Sequence, residues 1–309
     1  MFYTITLSPS IDHVIVGKTD FVTNGLNRYE TNFLFPGGKG INAAIVLQGL
    51  KMPVKAITFL KGLTGQLFTN LTNHYGLEII TFAAENETRI NTKFLAQNAF
   101  ELNGPRTQIS SLNFDQLLNF ITTKIKPDDF IFVMGLGPED LLHQLLAHIE
   151  QLKIPFALDL DSVQAIDLFR YKPFMIKPNL QEIQVWFKDL QINQQSSLLK
   201  AMLKLQAKGA QNVLLSMGAD GAYFLSDQGK FFQLIIKEKL SVVSTVGAGD
   251  TLLAAFCSAY YQTKEISNSL KMAGMLAADT VMQFHLTNGK LNNAELANII
   301  EVKEIIKPI

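Results

Sequence analysis

The sequence predicts a doubly wound, mainly parallel α/β sheet with helices on both faces, and beside it a small β-sheet lid. Three observations predict this. Short apolar runs bounded by turn residues recur along the chain, as strands buried on both faces require. Stretches with helical spacing of apolar residues separate them, so strands and helices alternate. Two segments, about 12–35 and 86–104, break that alternation with polar and apolar residues in strict turn, as in Thr88-Arg89-Ile90-Asn91-Thr92-Lys93-Phe94. These two are assigned to the lid. The remainder of 1–309 forms the core of a single domain, with no repeat, low-complexity tract or linker.

Taken in order, residues 2–7 are the opening strand. Residues 42–50 form a helix closed by Met52-Pro53, where proline removes an amide and fixes the backbone. Residues 54–60 form the next core strand. In the lid, side chains alternate between faces, so Arg89, Asn91 and Lys93 share one face and Ile90, Thr92 and Phe94 the other. A solvated polar face or a sugar-phosphate site would both fit two cations flanking an amide. Beyond the lid, strands are expected at 130–134, 156–160, 174–176 and 213–216, and helices at 114–125, 141–152, 181–190 and 198–208. Ligands of such sheets bind outside the carboxyl ends of the strands.

Composition excludes several function classes. Hydrophobic residues make up 48% of the 309 and charged residues 17%, as in soluble proteins. Lys+Arg and Asp+Glu both number 27, so the basic excess of a nucleic-acid binder is absent. The lone Cys257 excludes an internal disulfide and a multi-cysteine zinc site, and its apolar surroundings make it a buried thiol. The five histidines show no HExxH or other metal spacing. Residues 1–7 lack a basic leader and no apolar run has membrane-spanning length. The expectation is a cytoplasmic protein with neither nucleic acid nor membrane as partner.

The stretch richest in chemistry is Thr245-Val246-Gly247-Ala248-Gly249-Asp250-Thr251, followed by an apolar helix. Small residues at a helix start expose amides that no intrahelical carbonyl can use, and with the helix dipole they favour phosphate. Asp250 in that place repels phosphate, which makes sense if it takes a proton from the attacking group; a plain capping role is the other reading. Gly37-Gly38-Lys39-Gly40-Ile41-Asn42 combines close-approach glycines, a cation for an anion and an amide for hydroxyls, or is a mere turn. It is no Walker A loop, since Gly40 follows Lys39 where Ser or Thr is required. Lys177-Pro178-Asn179-Leu180-Gln181-Glu182 puts Asn179 and Glu182 three apart at a strand-to-helix junction, for a metal-bound phosphate or a cap. Ser216-Met217-Gly218-Ala219-Asp220-Gly221 ends a strand in a glycine turn, or is an ordinary hairpin.

These clusters, together with Leu7-Ser8-Pro9-Ser10-Ile11-Asp12, resemble in order and spacing the ribokinase/PfkB-like carbohydrate kinases over essentially the whole chain. Leu26-Asn27-Arg28, Thr88 to Lys93 and Leu102-Asn103-Gly104-Pro105 resemble the branch that acts on fructose 1-phosphate, with the tagatose 6-phosphate branch as near neighbour. The resemblance implies transfer of the ATP γ-phosphoryl group, with Mg²⁺, to a ketohexose phosphate. It implies Asp250 as general base and the Gly247, Ala248 and Gly249 amides as anion hole. It places Asp12, Gly37, Gly38 and Asn42 on sugar hydroxyls, and Lys39, Arg28, Arg89, Asn91 and Lys93 towards the sugar's own phosphate. Lys177, Asn179, Ser216, Gly218, Ala219 and Gly221 are implied for the nucleotide and Glu182 for the metal, with self-association through the lid. The chain departs from the pattern at Met134-Gly135-Leu136, at Leu160-Asp161 and at Ser244. A kinase of an unphosphorylated sugar or nucleoside would not need the cations at 28, 89 and 93. A non-catalytic sugar-phosphate sensor would keep them and could lose the base.

Overall fold

The structure is a computed structural model that describes residues 1–160, 163–190, 194–290 and 294–305. The chain opens with β1 (Phe2–Thr6), then β2 (Ser10–Val16) and β3 (Thr31–Gly37), and enters α1 (Lys39–Gly49). Next come β4 (Val54–Leu60), α2 (Gly62–Asn73), β5 (Ile79–Ala83), β6 (Arg89–Leu95), β7 (Phe100–Asn103) and α3 (Ser111–Lys124). The middle of the chain holds β8 (Phe130–Met134), α4 (Glu139–Gln151), β9 (Phe156–Asp159), β10 (Met175–Ile176), α5 (Leu180–Trp186), α6 (Gln195–Ala207) and β11 (Asn212–Ser216). The last part holds β12 (Ala222–Leu225), β13 (Phe231–Ile236), α7 (Ala248–Thr263), α8 (Ile266–Val281), α9 (Ala294–Ile299) and β14 (Ile300–Ile305).

The main sheet has ten strands in the order β14-β13-β12-β11-β10-β9-β8-β1-β4-β5. From β11 to β5 every neighbouring pair is parallel. The core strands are largely apolar because helices cover both faces. Successive residues feed opposite cores: Ile131 and Val133 pack with α3, α4 and α6, while Phe130, Phe132 and Met134 pack with α1, α7 and α8. Full burial of each such side chain contributes about 1.5–3 kcal/mol. Cys257 lies in the second core, 1% exposed, and burial pushes its thiol pKa up, so it behaves as a small hydrophobe.

The far end of the sheet departs from the parallel expectation. β11 to β14 pair antiparallel in sequence; β12 is the second arm of the hairpin that was one reading of 216–221, whereas β13 and β14 were not anticipated. The turn at 217–221 joins β11 to β12, so the glycine motif there is a hairpin turn as well as a candidate site. The helix expected at 181–190 stops at Trp186, where Phe187 leaves the helical backbone.

The second sheet runs β3-β2-β6-β7 and is built from the two segments assigned to the lid. Asp12 pairs with Asn91 across β2 and β6, and Asn91 with Asn103 across β6 and β7. Paired residues point to the same side, so Asp12, Arg89, Asn91 and Lys93 share one face, as the alternation predicted. No helix among the described residues is long and apolar enough to cross a membrane.

Candidate active site

The parallel strands all run the same way, so their carboxyl ends open on one edge of the sheet. Each delivers residues there: Ser8 after β1, Gly135 and Leu136 after β8, Asp159 at the end of β9, Lys177 after β10 and Ser216 at the end of β11. Between this edge and the polar face of the small sheet lies a cleft of about 590 Å³. Asp12, Gly38, Lys39, Asn42, Arg89, Asn91, Lys93, Lys177, Gly247, Gly249 and Asp250 line it, so most of the predicted residues converge.

At the start of α7 the N-cap is Gly247, in the left-handed region at φ +78. A side chain there would also come within 2.3 Å of Leu286 Cδ2, so only glycine fits. Asp250 is therefore the third helical residue and not the cap. Its carboxylate Oδ2 accepts instead from the Asn42 side-chain amide, at 2.8 Å. This fixes the Asp250 carboxylate and directs Asn42, expected on a sugar hydroxyl, to it. The first-turn amides of α7 lack helical acceptors. The Ala248 amide makes a long 3.4 Å bond to the Thr245 carbonyl, and Ser244 Oγ accepts from the Val246 amide at 3.3 Å. The carboxyl of Asp250 is buried, and burial pushes its pKa up to about 6; Asp159 adds to the rise, while Lys39, the Asn42 hydrogen bond and Lys177 oppose it.

The cations in the cleft are mostly engaged. Lys39 Nζ donates to Asp159 Oδ1 at 2.8 Å, and Lys177 Nζ lies 3.1 Å from Oδ2. Burial alone would raise the Asp159 carboxyl, but Lys177 and Lys39 more than offset it and hold it below the usual range. Lys93 pairs with Asp12 Oδ2 at 2.9 Å, while Ser10 Oγ and the Asn91 side-chain amide donate to Oδ1 at 2.9 and 3.3 Å. Lys93 thus neutralises the acid assigned to sugar hydroxyls. Gly37 sits against that acid: a Cβ on it would be 2.5 Å from Asp12 Oδ1. Arg89 donates through Nη2 to the Ser8 carbonyl (3.1 Å) and through Nε to the Pro9 carbonyl (3.3 Å). Arg28 is exposed on the β2–β3 loop and does not line the cleft; no strand fixes it there.

Apart from Lys177, the proposed nucleotide and metal residues sit on adjoining strand ends rather than in this cleft. Asn179 caps α5: its Oδ1 accepts from the Glu182 amide at 2.9 Å, and the Glu182 carboxylate accepts from the Asn179 amide at 2.8 Å. Burial raises the Glu182 carboxyl, offset only in part by that amide and the nearby lysines. Ser216 Oγ donates to the Pro178 carbonyl at 3.3 Å, which holds the 216–221 turn beside Asn179. Gly218 and Ala219 are exposed there, and Gly221 turns into β12 at φ +85. Glu182 and Asp159 border one small cavity of about 10 Å³. Among the described residues no group of three or more His, Cys, Asp or Glu could hold a metal. A buried carboxylate beside a second carboxylate is the kind of donor set that Mg²⁺ takes together with phosphates and water.

The fold also assembles residues that the sequence left without a role. Asp159 carried one legible signal, a lone acid closing an apolar strand. Asn103, at the end of β7, and Arg106, just beyond it, line the cleft. Residues 284–286 fasten the lid: Phe284 stacks on Phe33 (5.6 Å), His285 on Phe35 (4.1 Å), and Leu286 packs at Gly247. Tyr75 Oη lies 3.0 Å from His285 Nδ1, and burial pushes the imidazole pKa down to about 4. Of the departures, Leu136 lines the cleft, Met134 and Leu160 are buried in the core, and Asp161 lies outside the described residues.

Residues 6–292 match the model of the pfkB family carbohydrate kinases. The chain belongs to that family. It is 31% identical over 291 residues to a 1-phosphofructokinase of Borreliella burgdorferi, covering 93% of each chain. It is also 31% identical over 263 residues to a D-tagatose-1-phosphate kinase of Bacillus licheniformis, covering 83% of this chain and 84% of that one. Phosphofructokinase-2 from Escherichia coli superposes with a TM-score of 0.84 at 22% identity, covering 96% and 97%, which shows the same fold. This kinase is thus an α/β enzyme of the ribokinase-like type with a second small sheet.

The raised Asp250 pKa has two measurable consequences. Asp250 can accept a proton only when ionised, so in the general-base role proposed below kcat/KM should fall about tenfold per pH unit below about pH 6. A carboxyl whose pKa is higher folded than unfolded favours the folded state below its unfolded value and loses that contribution as pH rises through 6. The ionised acid therefore costs stability on the order of 2–3 kcal/mol at pH 8. Asp250→Asn should melt above the wild type at pH 8, with the gap closing towards pH 4. Equal melting temperatures at both pH values would contradict the burial of an ionised Asp250.

Proposed function

We propose that this kinase transfers the γ-phosphoryl group of ATP to a ketohexose phosphate, with fructose 1-phosphate as the leading substrate and fructose 1,6-bisphosphate as product. The observation that carries the reading is the meeting of Asp250, held by Asn42, and the α7 amides with lysines and arginines across a single cleft. Both named relatives act on a ketohexose bearing phosphate on C1. That favours D-tagatose 1-phosphate over the 6-phosphate as the second candidate.

The chemistry follows from placement. Asp12, with its carboxylate oriented by Ser10 and Asn91, accepts from sugar hydroxyls as Lys93 yields or shares it. Asp250 takes the proton from the acceptor hydroxyl, whose oxygen attacks the γ-phosphorus as ADP leaves. The amides of Gly247, Ala248 and Gly249 stabilise the charge developing on the transferred group. Lys39 and Lys177 bring positive charge to the same point: a Cβ on Gly249 would lie 3.0 Å from Lys177 Nζ. Asn179, Ser216, Gly218, Ala219 and Gly221 cradle the nucleotide at the adjoining strand ends. Glu182 would hold Mg²⁺, which supplies charge neutralisation on the ATP phosphates when bound.

The lid supports self-association as a further part of this reading. Leu34, Ile90 and Leu102, exposed by 39%, 43% and 58%, lie on the face of the small sheet opposite Asp12. An apolar sheet face of that kind suits burial against a second copy.

A coupled ADP-release assay over fructose 1-phosphate, tagatose 1-phosphate, tagatose 6-phosphate, fructose 6-phosphate and free fructose tests the substrate. Fructose 1-phosphate should lead, and equal turnover of free fructose would sink the sugar-phosphate assignment. Asp250→Asn should keep ATP binding and lower kcat by roughly 10²–10⁴-fold, the usual worth of a general base; near-normal turnover in the folded variant would remove Asp250 from that role. Arg89→Ala should raise KM for the sugar phosphate by roughly 10- to 150-fold, the equivalent of a charge-assisted hydrogen bond, and leave KM for ATP nearly unchanged. Glu182→Gln should raise the Mg²⁺ concentration for half-maximal rate, and an unshifted Mg²⁺ titration would take Glu182 out of the metal site.

A further inference from the structure

The cleft must offer an uncommitted cation to a substrate that already carries a phosphate. Most of its charges are spoken for. Lys39 and Lys177 share Asp159, and Lys93 is held by Asp12. Arg89 commits two of its donors to the carbonyls of Ser8 and Pro9. The wall after β8 is Gly135-Leu136, which brings no side-chain donor.

Arg106 differs from all of these. It lines the cleft, it is exposed, and among the described residues its guanidinium has no hydrogen bond or ion pair. Its backbone, by contrast, is fixed on both sides. The Arg106 carbonyl accepts from the Asn86 side chain at 3.1 Å, and the next amide, of the buried Thr107, donates to Ser8 Oγ at 3.1 Å. Two residues earlier, Gly104 runs against β6: a Cβ on it would meet the Ile90 carbonyl at 2.8 Å and Arg89 Cβ at 3.0 Å. The Gly104 amide donates to Asn91 Oδ1 at 3.2 Å. The loop therefore carries the Arg106 guanidinium on an anchored backbone beside Arg89, at the rim of the cleft.

We propose that Arg106 is the specificity-determining residue for the phosphate already present on the sugar, which its guanidinium grips together with Arg89. A planar fork matches phosphate oxygens in pairs, and binding there breaks no existing side-chain contact. A free ketose gains nothing from the fork, so the site favours the phosphorylated sugar by the worth of that contact. This rests on the reading of the cleft as that of a sugar-phosphate kinase.

The test compares wild type, Arg106→Ala and Arg106→Lys in two measurements. Calorimetric binding of fructose 1-phosphate, of inorganic phosphate and of free fructose reads the grip itself. Steady-state kinetics reads its use. Arg106→Ala should weaken fructose 1-phosphate binding and raise its KM roughly 10-fold, the lower end for a charge-assisted hydrogen bond because the side chain is exposed. Weak binding of free fructose and KM for ATP should not move, and Arg106→Lys should recover part of the loss. Unchanged fructose 1-phosphate binding in a folded Arg106→Ala, with the wild type binding it, overturns the proposal and leaves the kinase reading standing. A wild type that binds fructose 1-phosphate through Arg106 without phosphorylating it keeps the proposal and removes that substrate. A wild type that binds neither fructose 1-phosphate nor phosphate overturns the proposal outright.

Discussion

A buried carboxylate, Asp159, holds the site in register. It closes β9 at 3% exposure and is gripped by Lys39 from the start of α1 and Lys177 from the end of β10. An ionised acid in that position is costly unless paired, and removing one partner of such a pair costs about 3–5 kcal/mol. The ion pairs therefore tie three elements, far apart in sequence, to one point at the strand ends. They also modulate the Asp250 carboxyl, whose pKa burial raises most. The negative charge of Asp159 raises the Asp250 pKa, while the two lysines lower it. A carboxyl near 6 is ionised at neutral pH yet retains more proton affinity than an ordinary aspartate, which suits the proposed role of Asp250 in proton abstraction from an alcohol.

The small sheet reaches the same site from the other side. Its polar face carries Asp12 with Lys93 and Asn91, and its β3 edge is fastened to the core by Phe284 and His285. The next residue, Leu286, packs where Gly247 lacks a side chain. One short segment thus touches both the lid and the turn that presents the α7 amides. The imidazole in this packing is neutral at physiological pH because burial depresses its pKa, so the fastening buries no imidazolium.

The core of the fold was legible because two-sided burial leaves a simple trace. The strands at β1, β4 and β8 are apolar at nearly every position, and their boundaries matched within about a residue. The lid was legible because one of its faces is polar. Most of the antiparallel edge from β12 to β14 was missed because Ala222–Leu225 and Phe231–Ile236 are equally apolar, and periodicity does not reveal strand direction. α5 was overextended since the residues after Trp186 keep a helical composition while the backbone turns away.

The site divides along the same line. The glycine loops and Asp250 were found in the sequence because a helix start that admits phosphate needs small residues, and that need is local. Sequence by itself determined the fold class, the glycine loop that leads into Asp250 and the polar strand face with Arg89, Asn91 and Lys93. Only the tertiary structure decided which charges are free. It paired Lys93 with Asp12 and Lys39 with Asp159, gave Asn42 to Asp250, left Arg28 outside and brought Arg106 in. Pairing depends on distances between segments that the chain order does not encode, because they are fixed only when the helices and both sheets pack.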